Sequence, residues 1–320
     1  MMQQSTAKSV VIGTGSIGRR HAQNLAQLGA EVQALSWREL GLDGVLEVLE
    51  TTHPTCAVIA TATDMRLPLV AACAERNIAL YIEKPLAFRP SEVAAVFQAA
   101  APVAARSFVG FMMRYHPILQ AMARENLGAA YRFQFEIGHD VTQWRQNWHF
   151  SQSYAARAQG GGVLLDLCHE LDMAHCLLPG LALGAVDVLG HADFPGVDMA
   201  ALCQLRSTHG MGSVAMDYLA PASTRRASLR GLAGCMDADF VASTLTIDRG
   251  QGAQTQHFTF DRNDMFLAAM RDFLALAEGR APVSGTANVP VLTASRAVCD
   301  LIAQAWARRA FGANIAKGLT

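Results

Sequence analysis

The chain has 320 residues, 51% of them hydrophobic and 17% charged, with a formal net charge of −1. That balance excludes a disordered chain and gives no electrostatic reason to expect nucleic acid or an anionic membrane as partner, and the length suffices for two domains with separate cores. No apolar run reaches the roughly 18 residues that span a bilayer. The residues up to Ser9 lack the basic-then-apolar layout of a secretory signal. Seven cysteines, at 56, 73, 168, 176, 203, 235 and 299, form no CxxC pair. They read as reduced, mostly buried thiols of a cytoplasmic protein.

Lys8 to Gly13 is a short apolar strand, and Ser16 to Leu28 has a helical composition that stops at Gly29. Strands follow over Glu31 to Ser36 and Cys56 to Ala60. Asp64 then stands where an N-cap would open a helix running to Arg76. The spacing next predicts a strand over Ile78 to Ile82, a helix over Ser91 to Ala100 and a strand over Ala105 to Phe111. Strands alternating with helices imply a parallel, doubly wound α/β sheet of the Rossmann type, assigned to residues 1–120.

The pattern changes after Pro117. A helix over Ile118 to Arg124 leads to a strand over Ala130 to Ile137, and a Trp- and Arg-bearing loop covers Val141 to Tyr154. Gly160-Gly161-Gly162 introduces a helix over Val163 to Leu178. Strand-like runs between Leu183 and Ile247 have turns and no helices between them, which favours a large, mainly antiparallel sheet. Helices over Asn263 to Glu278 and Val289 to Arg309 close the chain. Residues 121–320 are therefore expected to form an α+β substrate-binding and oligomerisation domain, with its last helices able to pack back on the first.

Gly13-Thr14-Gly15-Ser16-Ile17-Gly18 follows a strand and opens a helix, the context a dinucleotide fingerprint requires. Gly13 serves the tight turn, Gly15 lets the pyrophosphate approach and Gly18 lets the helix pack on the sheet, while the helix N-terminus, with Ser16 and Ile17, offers N–H groups. At the tip of the second strand, Ser36-Trp37-Arg38-Glu39 has no acid for a ribose 2′-hydroxyl. Ser36 and Arg38 favour NADP, although Glu39 leaves NAD open. Glu83-Lys84-Pro85 caps the Ile78–Ile82 strand, at the sheet edge where such folds bind ligands.

Asp166, His169 and Asp172 recur every third residue within an apolar segment, on one inclined stripe if the helix is continuous. A histidine flanked by carboxylates suits a general base. The competing readings are a capping aspartate, a satisfied core histidine and, for Glu170, a surface position. Met173 stands where a zinc motif needs a second histidine, so no metal is expected.

Together these segments resemble the Gfo/Idh/MocA oxidoreductase family. The resemblance rests on Gly13 to His21, Glu83 to Ala87, Val109 to Pro117, Gly160 to Asp172 and Asn263 to Phe266. It implies that Lys84 contacts nicotinamide ribose and substrate hydroxyl, with Thr61, Glu83 and Pro85 beside the cofactor and a cis bond before Pro85. It gives His169 the proton transfer and Asp172 a role in binding substrate or orienting the histidine. Arg114, Trp144, Arg145, Tyr154 and Asp166 fall where substrate contacts are expected, with a packed loop as the alternative for the Trp144–Tyr154 segment. The sequence departs from the family in having Asp166 three rather than four residues before the histidine, and Arg66 where a histidine is common. The implied activity is hydride transfer between NAD(P) and a sugar, polyol or sugar derivative, in a homodimer or homotetramer. A nucleotide-sensing regulator and a reductase of a non-sugar carbonyl, enone or imine are the alternatives.

Overall fold

A computed structural model describes residues 7–143, 149–316 and 318. The chain begins with β1 (Lys8–Ile12) and α1 (Ser16–Gln27), followed by β2 (Glu31–Leu35) and α2 (Trp37–Thr52). Next come β3 (Cys56–Ile59), α3 (Arg66–Glu75), β4 (Ala79–Ile82), α4 (Pro90–Ala99) and β5 (Phe108–Val109). These strands form one parallel sheet in the order β2-β1-β3-β4-β5. Val10, Val11 and Ile12 of β1, and every residue of β3 and β4, are buried, as a sheet covered on both faces demands. The winding reverses between β1 and β3, which makes their carboxyl ends the ligand-binding crevice of such a sheet.

The second half contains α5 (Pro117–Arg124), β6 (Ala130–Gly138), α6 (Val163–Asp166), α7 (His169–Leu177) and the strands β7 (Ala182–His191), β8 (Ala200–Arg206) and β9 (Met211–Asp217). Then follow β10 (Thr224–Gly231), β11 (Gly234–Asp239), β12 (Thr244–Asp248), β13 (Ala253–His257), α8 (Arg262–Ala277), α9 (Arg296–Ala307) and β14 (Ala310–Ile315). Nine strands make a mixed sheet, β13-β12-β11-β10-β6-β9-β8-β7-β14. Only the β6–β9 and β7–β14 pairs are parallel. Alternation is clear along β8, where Ala201, Cys203 and Leu205 are buried and Leu202, Gln204 and Arg206 point outward. The expected fold class is thus observed: a parallel Rossmann sheet and a large, mostly antiparallel one.

Contacts divide the chain into two compact units. One takes in the chain to His116 together with Asp261–Cys299; the other takes in Pro117–Phe260 together with the chain from Asp300. No helix among the described residues is long and apolar enough to cross a membrane.

Several local expectations are corrected. Asp64 lies in a 3-10 turn, Thr63–Met65, and α3 starts at Arg66 without a side-chain cap. The strand expected over Ala105 to Phe111 shrinks to Phe108–Val109, because Ala101–Arg106 winds into a 3-10 turn. Ser107 secures that turn, donating to the Val103 carbonyl at 2.8 Å and accepting from the Leu80 N–H at 2.9 Å. The helix expected over Val163 to Leu178 is two helices, broken at Leu167 and Cys168.

In the first unit Asp272 of α8 is fully buried and accepts four hydrogen bonds. They come from Tyr115 Oη (3.0 Å), Val283 N (2.7 Å), Ser284 N (2.9 Å) and Ser284 Oγ (2.5 Å). Removing the acceptor strands the buried Tyr115 hydroxyl at about 1–3 kcal/mol before relaxation and also loses the bonds from the less buried Val283 and Ser284. Asp272→Ala is therefore expected to lower the unfolding free energy by about 3 kcal/mol in urea titration; a change under about 0.5 kcal/mol, the range of ordinary surface substitutions, would contradict this account.

Candidate functional site

The loop between β1 and α1 is shaped by close approach. Gly13 has φ +114°, and a Cβ there would lie 2.6 Å from the Ala60 carbonyl oxygen. A Cβ on Gly18 would overlap the Gly13 carbonyl, whereas one on Gly15 would meet nothing within 4 Å. Two glycines are thus required by packing, and the third borders open space. Helix α1 begins beside that space with no side-chain cap, which leaves its first N–H groups for an anion. This arrangement fits a dinucleotide pyrophosphate over Gly15, Ser16 and Ile17.

Ser36 is the N-cap of α2, and Arg38 lies exposed in the first turn of that helix, next to Glu39. Thr61, just past β3, has a buried Oγ1 with no hydrogen-bond partner among the described residues. At the end of β4 the chain reads Glu83-Lys84-Pro85, with a cis Lys84–Pro85 bond. Lys84 is half-buried and Glu83 buried.

Two residues that the sequence reading did not place in the site organise this strand end. His21, fully buried on α1, donates from Nε2 to Glu83 Oε1 at 2.6 Å. Arg66, at the start of α3, donates to the Glu83 and Pro85 carbonyls and to the Thr61 carbonyl at 3.0 Å. Glu83 Oε2 accepts the Lys84 N–H at 3.1 Å. Burial pushes the Glu83 carboxyl up, but the His21 hydrogen bond and charge, with Lys84 and Arg66, outweigh it and hold the group below its ordinary value. The available signal for His21 was a polar residue within the buried stripe Gly18, His21 and Leu25 of α1.

In the second unit the polar stripe is divided between the two short helices. Asp166 ends α6 and accepts hydrogen bonds from Tyr154 Oη and, at 2.9 Å, from Tyr218 Oη. Burial, then Asp166, raises the Tyr218 pKa well above its ordinary value, so Tyr218 stays a donor. His139, whose ring meets Tyr218 edge-on at 5.9 Å, is held below its ordinary pKa by burial against the pull of Asp166 and Asp217. His169 opens α7 and Asp172 lies one turn along it; both are buried. Glu170, expected at the surface, is fully buried and paired with Arg225 at 2.7 Å. The N-terminus of α6 is held by Asp198, which accepts the Leu164 N–H at 2.8 Å and pairs with Arg309.

Among the remaining candidates, Tyr154 is half-exposed. Arg114 is buried in the first unit, its guanidinium 5.3 Å from the Phe111 ring centroid. Trp144 and Arg145 lie outside the described residues. Among the described residues no group of three or more His, Cys, Asp or Glu is placed to hold a metal ion.

Residues 7–111 match the family described as "Oxidoreductase family, NAD-binding Rossmann fold", the Gfo/Idh/MocA group. That match covers 105 of the 320 residues and agrees with the family that the motifs resemble. A search of curated proteins finds no significant match. Among solved structures, levoglucosan dehydrogenase in complex with NADH and L-sorbose is similar with a TM-score of 0.76 at 19% identity, over 95% of this chain and 96% of that one. UDP-N-acetylglucosamine 3-dehydrogenase from Acidithiobacillus ferrooxidans gives 0.75 at 19% identity, over 97% and 98%. An inositol dehydrogenase homologue complexed with NAD+ from Azotobacter vinelandii gives 0.74 at 14% identity, over 96% and 98%. At these identities the likeness is one of fold.

The lowered Glu83 pKa has a defined sign. Its stabilisation is fully present above the ordinary value of 4.5 and is lost as pH falls through the lower folded value. The unfolding free energy of the wild type relative to Glu83→Gln should therefore hold steady from neutral pH to about pH 5 and then decline towards acid. Urea titrations of both proteins across that range check this. A difference that grows on acidification would mean that the buried carboxyl is protonated.

Proposed function

We propose that this protein is an NAD(P)-dependent dehydrogenase that moves a hydride between nicotinamide and a secondary alcohol or ketone of a sugar, polyol or sugar derivative. The observation that carries the proposal is the placement of Lys84 at the carboxyl end of β4, on the same sheet edge as the glycine loop that follows β1. The substrates named for the solved relatives, levoglucosan, UDP-N-acetylglucosamine and inositol, support the same carbinol class.

The bound nucleotide supplies the hydride acceptor at nicotinamide C4. His169 takes the hydroxyl proton, and Asp172, one turn away, orients that imidazole or holds a neighbouring substrate hydroxyl. Lys84 stabilises the negative charge that develops on the substrate oxygen. Tyr154, its hydroxyl fixed by Asp166, contributes a substrate contact, with Trp144, Arg145 and Arg114 as further candidates. The general base is worth roughly 10²–10⁴-fold, and electrostatic stabilisation and positioning supply the remainder. Ser36 and Arg38, with no acid at the tip of β2, support NADP as the preferred nucleotide, whereas the family description and the nucleotides bound to the relatives name NAD. The same reading puts a homodimer or homotetramer in the cytoplasm.

Reduced nicotinamide should accumulate when the protein is given levoglucosan, myo-inositol or UDP-N-acetylglucosamine with NAD+ or NADP+. His169→Ala should lower kcat roughly 10²–10⁴-fold, and Lys84→Ala should abolish turnover while nucleotide binding remains detectable. Near-native kcat for Lys84→Ala would overturn the mechanism. A kcat/KM at least about tenfold higher with NAD+ would overturn the NADP preference. Nucleotide binding without turnover of any member of the set would favour a sensor.

A further inference from the structure

Glu83 and Lys84 are consecutive, yet the carboxylate is directed away from the solvent edge and into the sheet. One oxygen takes the His21 Nε2–H at 2.6 Å and the other takes the Lys84 main-chain N–H at 3.1 Å. The strand end is held on every side. The Glu83 N–H bonds the Ile59 carbonyl at 3.0 Å, the Gly110 N–H bonds the Ile82 carbonyl at 2.8 Å, and the Glu83 carbonyl accepts from Arg66. Gly110 makes room for the carboxylate, since a Cβ there would stand 2.9 Å from Glu83 Oε2. His21 is fixed as well, 5.0 Å from the Tyr81 ring and 6.1 Å from Phe266 between ring centroids. Its Nδ1 is buried without a hydrogen-bond partner among the described residues, so the proton of the Glu83 bond sits on Nε2.

A buried hydrogen-bonded polar pair is weak evidence for stability, because apolar packing of the same volume does as well or better. What this pair does that an apolar pair would not is join two particular elements. His21 lies on α1, whose N-terminus borders the phosphate loop, and Glu83 hydrogen-bonds the main chain of Lys84. We propose that the His21–Glu83 pair is a positioning device that ties the phosphate-binding helix to Lys84, so that nucleotide bound at one is met by the ammonium group at a fixed place. Lys84 and Arg66 are the cations that face the carboxylate, and Tyr81 lies beside it. The inference rests on the proposed contact between Lys84 and bound nicotinamide nucleotide.

The test is a double-mutant cycle read by NADH fluorescence titration, which needs no knowledge of the substrate. His21→Leu and Lys84→Ala are each expected to weaken NADH binding about tenfold, and the double variant should bind no more weakly than Lys84→Ala alone. His21→Gln places an amide N–H near the position of Nε2 and should bind within about threefold of wild type. Should His21→Leu fail to fold, Glu83→Gln takes its place and should show the same non-additivity. Losses that multiply in the double variant, or no rescue by glutamine, would make His21 a structural residue only and overturn the proposal. Lys84→Ala binding NADH as tightly as wild type would overturn it too, since His21 would have nothing to act through. Wild-type protein that binds neither NADH nor NADPH would instead sink the functional reading on which the proposal stands.

Discussion

A carboxylate taken out of water must be met by opposite charge or by hydrogen bonds, or it does not stay ionised. Glu83 is met by both, and the surrounding arrangement follows from that requirement. His21 has to be a donor on the buried face of α1, Gly110 has to be small, and Arg66 has to reach across from α3 to the carbonyls of Thr61, Glu83 and Pro85. The carboxyl ends of β3 and β4 are thereby fixed to α1 and α3, and the crevice edge is rigid before any ligand arrives. Such prior fixing is what an electrostatic catalyst needs, because groups that must reorganise during reaction lose much of their effect.

The second unit meets a comparable demand differently. Asp166 accepts from two tyrosine hydroxyls, and Glu170 pairs with Arg225. Asp198, lifted above its ordinary pKa by burial in spite of Arg309, anchors the first turn of α6. The acidic residues along α6 and α7 therefore divide by partner. Asp166, at the end of α6, holds the Tyr154 hydroxyl on one oxygen and the Tyr218 hydroxyl on the other. His169 and Asp172, three residues apart on one helix, still share a face.

Much of this was legible in the sequence because it depends on local rules. The glycine loop has its strand before and its helix after, and the Glu83-Lys84-Pro85 tripeptide follows a strand that is apolar at every position, so both could be placed on one sheet edge. What escaped depends on partners distant in sequence. His21 and Glu83 are 62 residues apart, and the Glu170–Arg225 pair spans 55, so no local pattern signals either. Helix α2 was hidden by Gly41 and Gly44, the first of them non-helical with φ +61°. The break between α6 and α7 has no proline or glycine to announce it. Strand β14 was not expected beyond the helix that was to close the chain at Arg309, yet its residues pair in parallel with β7, a tertiary choice that composition does not encode.

The carboxylate beside Lys84 raises a question of charge. A glutamate adjacent to a functional lysine could simply neutralise it, and an ammonium group engaged in an ion pair would be a poor partner for a developing alkoxide. The Glu83 oxygens are engaged by the His21 imidazole and by the Lys84 main chain, and Lys84 adds a charge that helps to lower the Glu83 carboxyl. The carboxylate thus lends negative potential to its surroundings while its lone pairs are engaged elsewhere. The buried acid and the neighbouring lysine are thus joined through the main chain of residue 84.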